Sequence, residues 1–153
     1  MAVQSINNSQ LPLTGPRQVT IELSSANLLA LAATPIQVLP APGAGYIIKP
    51  VGATLFYHAG ATPYTTGGAF CLTLGGQLLS ALLAADVTLQ GAVLAEATDQ
   101  VGVFDATTAY TDDFAALSAL ENVALAVIND GAEHTLGNGT ATLVVSYETI
   151  NKT

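Results

Sequence analysis

The segment TPIQVLPAPGAGYIIKPVGATLFYH, Thr34 to His58, decides how this chain is read. Ile36 to Leu39 is a short apolar run of strand composition. It ends in Pro40-Ala41-Pro42-Gly43-Ala44-Gly45, and a longer apolar run, Tyr46 to Ala59, leaves on the far side. The prolines fix φ and remove backbone donors, while the glycines admit positive φ. Two β-rich runs around such a segment are two strands meeting at a tight corner. Pro50 and Gly52 interrupt the second run. A proline there predicts an edge position, or a break where the strand bends from one sheet to another, as a sandwich or jelly roll requires.

Working outward toward the N-terminus, Arg17 to Leu23 alternates, with Val19, Ile21 and Leu23 on one face and Gln18, Thr20 and Glu22 on the other. This is the pattern of a half-buried strand. Ser24 to Asn27 can cap a single helical turn over Leu28-Leu29-Ala30-Leu31, stopped by Pro35. Residues 1–16, rich in Asn, Gln and Ser with Pro12, Gly15 and Pro16, read as an extended arm. Val3, Ile6, Leu11 and Leu13 are spaced along it and are its candidate contacts with a neighbour.

On the other side, Gly60 to Gly68 is a turn region, and Ala69 to Leu74 is a strand ending at Gly75-Gly76. Leu78, Leu79, Leu82 and Leu83 fit a helical face while Asp86 to Gln90 looks extended, and Gln77 to Gln90 is predicted as a short helix. Gly91 to Phe114 reads as a long surface excursion with one or two short strands, of the kind often used at interfaces. Asn122 to Ile128 is an apolar run followed by the Asn-, Asp- and Gly-rich loop Asn129 to Gly139. From Gly139 to Ile150 the chain alternates again, with Ala141, Leu143, Val145 and Tyr147 inward. These last two runs are predicted to form a closing β-hairpin. Together the segments predict an all-β fold: a single antiparallel β-sandwich domain of jelly-roll type over residues 17–153, preceded by the arm.

Composition narrows the function classes. The 153 residues suit one domain that buries about 70% of its unfolded surface. Charged residues make up 9% of the chain, against about 25% in ordinary soluble domains, and mean hydropathy is +0.50. The longest unbroken aliphatic run, Leu28 to Ala33, falls far short of the roughly 20 residues of a membrane span. Burial of apolar surface against other subunits is the remaining remedy, which points to a component of an assembly. Three basic residues stand against 11 acidic ones, and Arg17, Lys49 and Lys152 are scattered. Direct binding to a nucleic-acid backbone is therefore disfavoured, and the net charge of −8 reads as a solubility device. Cys71, in an apolar run, is expected as a small buried hydrophobe rather than a nucleophile. The first residues have neither the basic nor the apolar region of a signal peptide, so the sequons at Asn7, Asn138 and Asn151 read as ordinary polar loop positions.

No set of converging reactive residues in the sequence points to a catalytic, cofactor-binding or metal site. Gly43-Ala44-Gly45 is not followed by Lys-Ser/Thr at a helix start, so it is no phosphate cradle. His58 is expected at a strand end, and His134, beside Glu133, in a solvated loop. Asp112-Asp113, with Asp99 and Asp105 upstream, matches no calcium loop and reads as a solvated acidic region. No Gly-x-Ser-x-Gly elbow is present.

Two blocks of the chain resemble small virion proteins of tailed bacteriophages. The first is Leu28-Leu29-Ala30-Leu31, Thr34 to Leu39, the Pro40 to Gly45 turn and the apolar strand after it. The second is Ala124 to Ile128, Gly137-Asn138-Gly139 and Val144-Val145-Ser146-Tyr147. They cover residues 19–60 and 121–149, with Tyr46 standing where the family pattern has Lys. The resemblance implies a structural protein of the phage head, of the capsid decoration or cement type. It would be a homotrimeric β-sandwich on the outer surface of the virion, clamping neighbouring major capsid proteins and reaching adjacent subunits with its arm. It would be made in the host cytoplasm. The alternatives are a head- or tail-fibre module binding host glycan through Gly60–Gly68 and Gly91–Phe114, and a metal-dependent jelly-roll enzyme, for which the ligand clusters are missing.

Overall fold

Alternating side chains build the first strand: Val19 and Ile21 pack on the core and Leu23 is buried along β1, Arg17–Leu23. A computed structural model describes residues 15–65, 67–78, 88–89, 94–105 and 120–151. Val3, Ile6, Leu11 and Leu13, and Asp112 and Asp113, lie outside the described residues. The Ser24 side chain accepts from the Asn27 backbone N–H, and Asn27 Oδ1 accepts from the Ser24 N–H at 3.0 Å. This reciprocal cap starts the one-turn helix α1, Ser25–Leu29, which buries Leu28. The next elements are β2, Ile36–Leu39, and β3, Tyr46–His58. After these come β4, Ala69–Leu74, and two short strands, β5, Gln77–Leu78, and β6, Thr88–Leu89. The chain ends with β7, Gln100–Asp105, β8, Leu125–Asp130, and β9, Thr140–Asn151.

Every pairing among the described residues is antiparallel. One sheet has the order β1-β9-β3-β7, and the other has β2-β8-β4, with β5 and β6 both on the free side of β4. The nesting is concentric: β1 pairs with β9, β2 with β8, β3 with β7 and β4 with β6. A long hairpin rolled up in this way, with successive arms laid on alternate sheets, is a jelly roll. The inward rows of the two sheets meet in one core. Ala53, Leu55, Leu143 and Val145 come from the first sheet, and Phe70, Leu72, Leu125 and Val127 from the second.

The corner at Pro40 to Gly45 carries the chain from one sheet to the other. It is held from the far end of the sequence: the Gly43 N–H donates to Asn122 Oδ1 at 2.9 Å and the Gly45 N–H to Glu121 Oε1 at 2.7 Å.

Three expectations are corrected. First, β3 neither lies at an edge nor changes sheet. It pairs with β9 along its whole length, and Pro50 sits at a register shift between Pro50 and Gly52. The ladder already skips a residue there, which accommodates the proline. Second, both described ends of the predicted helix 77–90 are strands on β4. Gly75 and Gly76 have φ of 57° and 82°, the two successive positive values of a type I′ hairpin turn, so β4 folds straight back into β5. Residues 79–87 of that predicted helix lie outside the described residues. Third, β8 and β9 do not form a hairpin. β8 pairs with β2 and β4, β9 with β1 and β3, and the loop between them crosses the sandwich.

Leu143 is fully buried between the sheets, whereas Ile150 is 42% exposed at the end of β9. Leu143→Ala is expected to lower unfolding free energy by about 2–5 kcal/mol, and Ile150→Ser to change it by no more than about 0.5 kcal/mol, measured by urea denaturation.

Candidate functional site

The end of the sandwich where β3, β8 and β1 finish and β4, β7 and β9 begin gathers three loops around one tyrosine. Tyr64 is 2% exposed, and its Oη donates to the Gly139 carbonyl at 2.7 Å, with the Ser25 carbonyl at 3.5 Å. Its backbone N–H donates to the Leu94 carbonyl. The Tyr64 ring meets Tyr57 of β3 edge-on, centroids 6.3 Å apart, and His134 at 5.8 Å. Through its side chain and its backbone, Tyr64 thus joins α1, the loop after β3, the approach to β7 and the β8–β9 crossover.

The backbone of residues 62–68 is laced to that of 132–138: Thr65 N–H to the Thr135 carbonyl, Gly68 N–H to Ala132, and Asn138 N–H to Thr62. The Thr65 hydroxyl also meets the Thr135 carbonyl and hydroxyl.

His134 is not solvated but 4% exposed, which corrects the loop reading. A strongly polar neighbourhood in sequence hid it, because the Asn- and Gly-rich loop folds down onto Tyr64 rather than into water. Its Nδ1 lies 3.1 Å from the Thr65 carbonyl. A carbonyl only accepts, so Nδ1 carries a hydrogen, and Nε2 is buried without a partner among the described residues. Tyr57 Oη and Asn129 Oδ1 are likewise buried without a partner. Gly67 lies flat against the imidazole, and any Cβ there would run into the ring. No sequence signal marks Tyr57 or Tyr64 as members of this cluster; each occurs in a stretch that reads simply as strand or turn.

His58 stands at the end of β3 as expected, its Nδ1 3.5 Å from an Asp99 carboxylate oxygen, with both side chains exposed. The Ala59 N–H, donating at 2.8 Å, and His58 hold the Asp99 carboxyl below its ordinary range. Cys71 is buried, as its apolar run predicts. Asp99 and Asp105 occupy opposite ends of the β7 segment rather than one cluster. Among the described residues, no group of three or more His, Cys, Asp or Glu side chains converges, and no helix is long and apolar enough to cross a membrane.

At the opposite end, a groove of about 520 Å³ is lined by Pro40, Pro42, Tyr46, Ile48, Tyr147 and Arg17, where β1 begins. No family model matches the chain, and no curated protein matches it.

Burial pushes the Tyr64 phenol up from 10.0 to about 12 and raises Tyr57 as well. The unfolded chain releases these protons near 10 and the native one later. Their contribution to stability is therefore complete below pH 10 and is lost as pH rises toward about 12. Urea denaturation from about pH 8 to about pH 11 should show this decline. Tyr64→Phe should flatten it and cost about 1–2 kcal/mol at neutral pH by stranding the Gly139 carbonyl.

Proposed function

We propose that this chain is a non-catalytic structural protein of a bacteriophage head, a capsid decoration protein that binds at junctions between major capsid proteins. One observation carries the reading. The two blocks that resemble phage virion proteins, far apart in sequence, form one continuous structural unit. β3 of the first block pairs with β9 of the second from Tyr46↔Asn151 to His58↔Thr140. β1 and β2 pair with β9 and β8. The Pro40–Gly45 corner is hydrogen-bonded to Glu121 and Asn122. The similarity thus belongs to a connected scaffold rather than to two isolated turns. Charged residues at 9% of the chain, with Phe56, Val101 and Val103 exposed on the surface, suit a protein that works by covering apolar area on neighbours.

In this reading the protein is a homotrimer whose arms, residues 1–16, reach adjacent subunits through Val3, Ile6, Leu11 and Leu13. Several weak contacts on one rigid particle bind far better than any one alone. The glycan-binding alternative finds less support. Its loop end does gather residues 59–68 with 94–99, but Tyr57 and Tyr64 there face inward and offer no stacking platform.

Deleting residues 1–16 should leave the urea midpoint unchanged and abolish co-sedimentation with purified phage heads. Saturation of heads by the truncated protein at the original concentration would refute the role of the arm. Failure of the full chain to bind heads would refute the decoration reading itself.

A further inference from the structure

Sheet edges expose unpaired backbone groups, and proteins protect them with charge, proline, bulges or brevity. The edges of this sandwich differ sharply in that protection. β1 carries Arg17 and Glu22, and its outward polar side chains are tied to β9: Thr142 Oγ1 donates to Glu22 Oε2 at 2.8 Å, and Gln18 Nε2 to Ser146 Oγ at 3.3 Å. β2 has four residues, lies between Pro35 and Pro40, and has a register irregularity between Gln37 and Leu39. β5 and β6 are two residues each.

Along Gln100–Asp105, β7 has none of these devices, and among the described residues nothing pairs with its outer edge. Its register with β3 runs unbroken from Tyr57↔Gln100 to Gly52↔Asp105. It contains no proline and no lysine, and its single charge, Asp105, is at the very end. β6 lies close to it, but no ladder joins the two among the described residues. Val101 is 59% and Val103 69% exposed, while Gly102 between them is buried. Phe56, 40% exposed, stands beside Val101 on the same outer face.

We propose that β7 is a self-association edge, where a second copy of this chain adds its own β7 antiparallel across a two-fold axis. The two strands fit in a particular register. In a flat two-fold pairing the outer faces coincide, so each outward residue must oppose another outward residue. Placing Gly102 on the axis satisfies this: Val101 faces the second copy's Val103, and Val103 its Val101. The outer surface then carries two rows that run through Phe56, Val101, Val103 and Thr54 across the joint. Shifting the register by one residue would set each exposed valine against an inward position of the other strand. Centring on Val103 instead would set Val101 against the second copy's Asp105. The apolar matching of β7 to itself is what favours a second copy over an unrelated strand. The register also brings Asp99 level with the second copy's Asp105. This like-charge cost at each rim is screened by salt.

The edge lies outside both blocks that resemble phage proteins, so this inference stands independently of the proposed capsid role and of threefold assembly. If both hold, β7 joins trimers to one another.

Two measurements on the full chain test it. Light scattering over a hundredfold dilution should show an associated species for the native protein. Val103→Lys should raise its dissociation constant by about tenfold with circular dichroism unchanged. Separately, Val101→Cys and Val103→Cys proteins, mixed and oxidised, should form the mixed disulfide in excess over either homodimer, because opposed Cβ atoms lie about 4.5–5.5 Å apart only in the mixed pair. A native protein that stays monomeric throughout would overturn the proposal. So would an association indifferent to Val103→Lys, or disulfides formed in statistical proportion.

Discussion

The ladder between β3 and β9 is the constraint on which the rest of the structure depends. It joins Tyr46–His58 to Thr140–Asn151, so forming it closes a loop of most of the chain and costs considerable conformational entropy. The return comes from the inward rows it creates. Ala53, Leu55 and Tyr57 lie opposite Val145, Leu143 and Ala141, all buried, in the middle of the core. With that pair in place, β1 has only the outer side of β9 to join and β7 only the outer side of β3. The other sheet is then bounded by the same connections, since the crossings at 40–45 and 131–139 are short.

Such a fold places its tension at the crossings. At one end, the Pro40–Gly45 corner leaves backbone N–H groups that no strand can satisfy, and Glu121 and Asn122 accept them. At the other end, the loop after β3 and the crossover before β9 satisfy each other, strand-like but outside either sheet. Tyr64 is the pin that holds them. The burial that makes this end rigid also leaves Tyr57 Oη, Asn129 Oδ1 and His134 Nε2 without partners among the described residues, a cost that the surrounding aromatic packing must offset. The contrast with β7 is instructive. The loop end hides its polar groups inside, whereas the β7 edge leaves apolar side chains outside.

Much of the sandwich was legible from residue pattern. The period-two alternation of Val19, Ile21 and Leu23, and of Ala141, Leu143 and Val145, identified both strands and the faces they bury. The Ser24 cap and the Pro/Gly corner were legible because their residues act locally. The errors share a cause. The pattern marks Gly75-Gly76 as a strand end where the chain makes a hairpin turn, Gln77 and Leu78 as helix where they pair with β4, and β8 with β9 as partners although they lie in different sheets. In each case, local composition was asked to report on a partner that lies elsewhere in the chain. His134 was misplaced for the same reason: a loop of Asn, Asp and Gly is usually wet, and only its lacing to residues 62–68 makes it dry.

Of the candidate functional features, the sequence carried the low charge, the lack of a recognisable catalytic motif and the two family-like blocks. It could not show that those blocks pair, or that Tyr57, Tyr64 and His134 meet. Nor could it show that Val101 and Val103 stand exposed on the last strand of the first sheet. By itself, then, the sequence determined which residues alternate, where the chain must turn and how little charge is available to cover the surface, because these follow from side-chain chemistry and local φ preferences. Tertiary structure alone decided strand order, sheet membership and which apolar residues remain outside, because these depend on contacts between segments tens of residues apart.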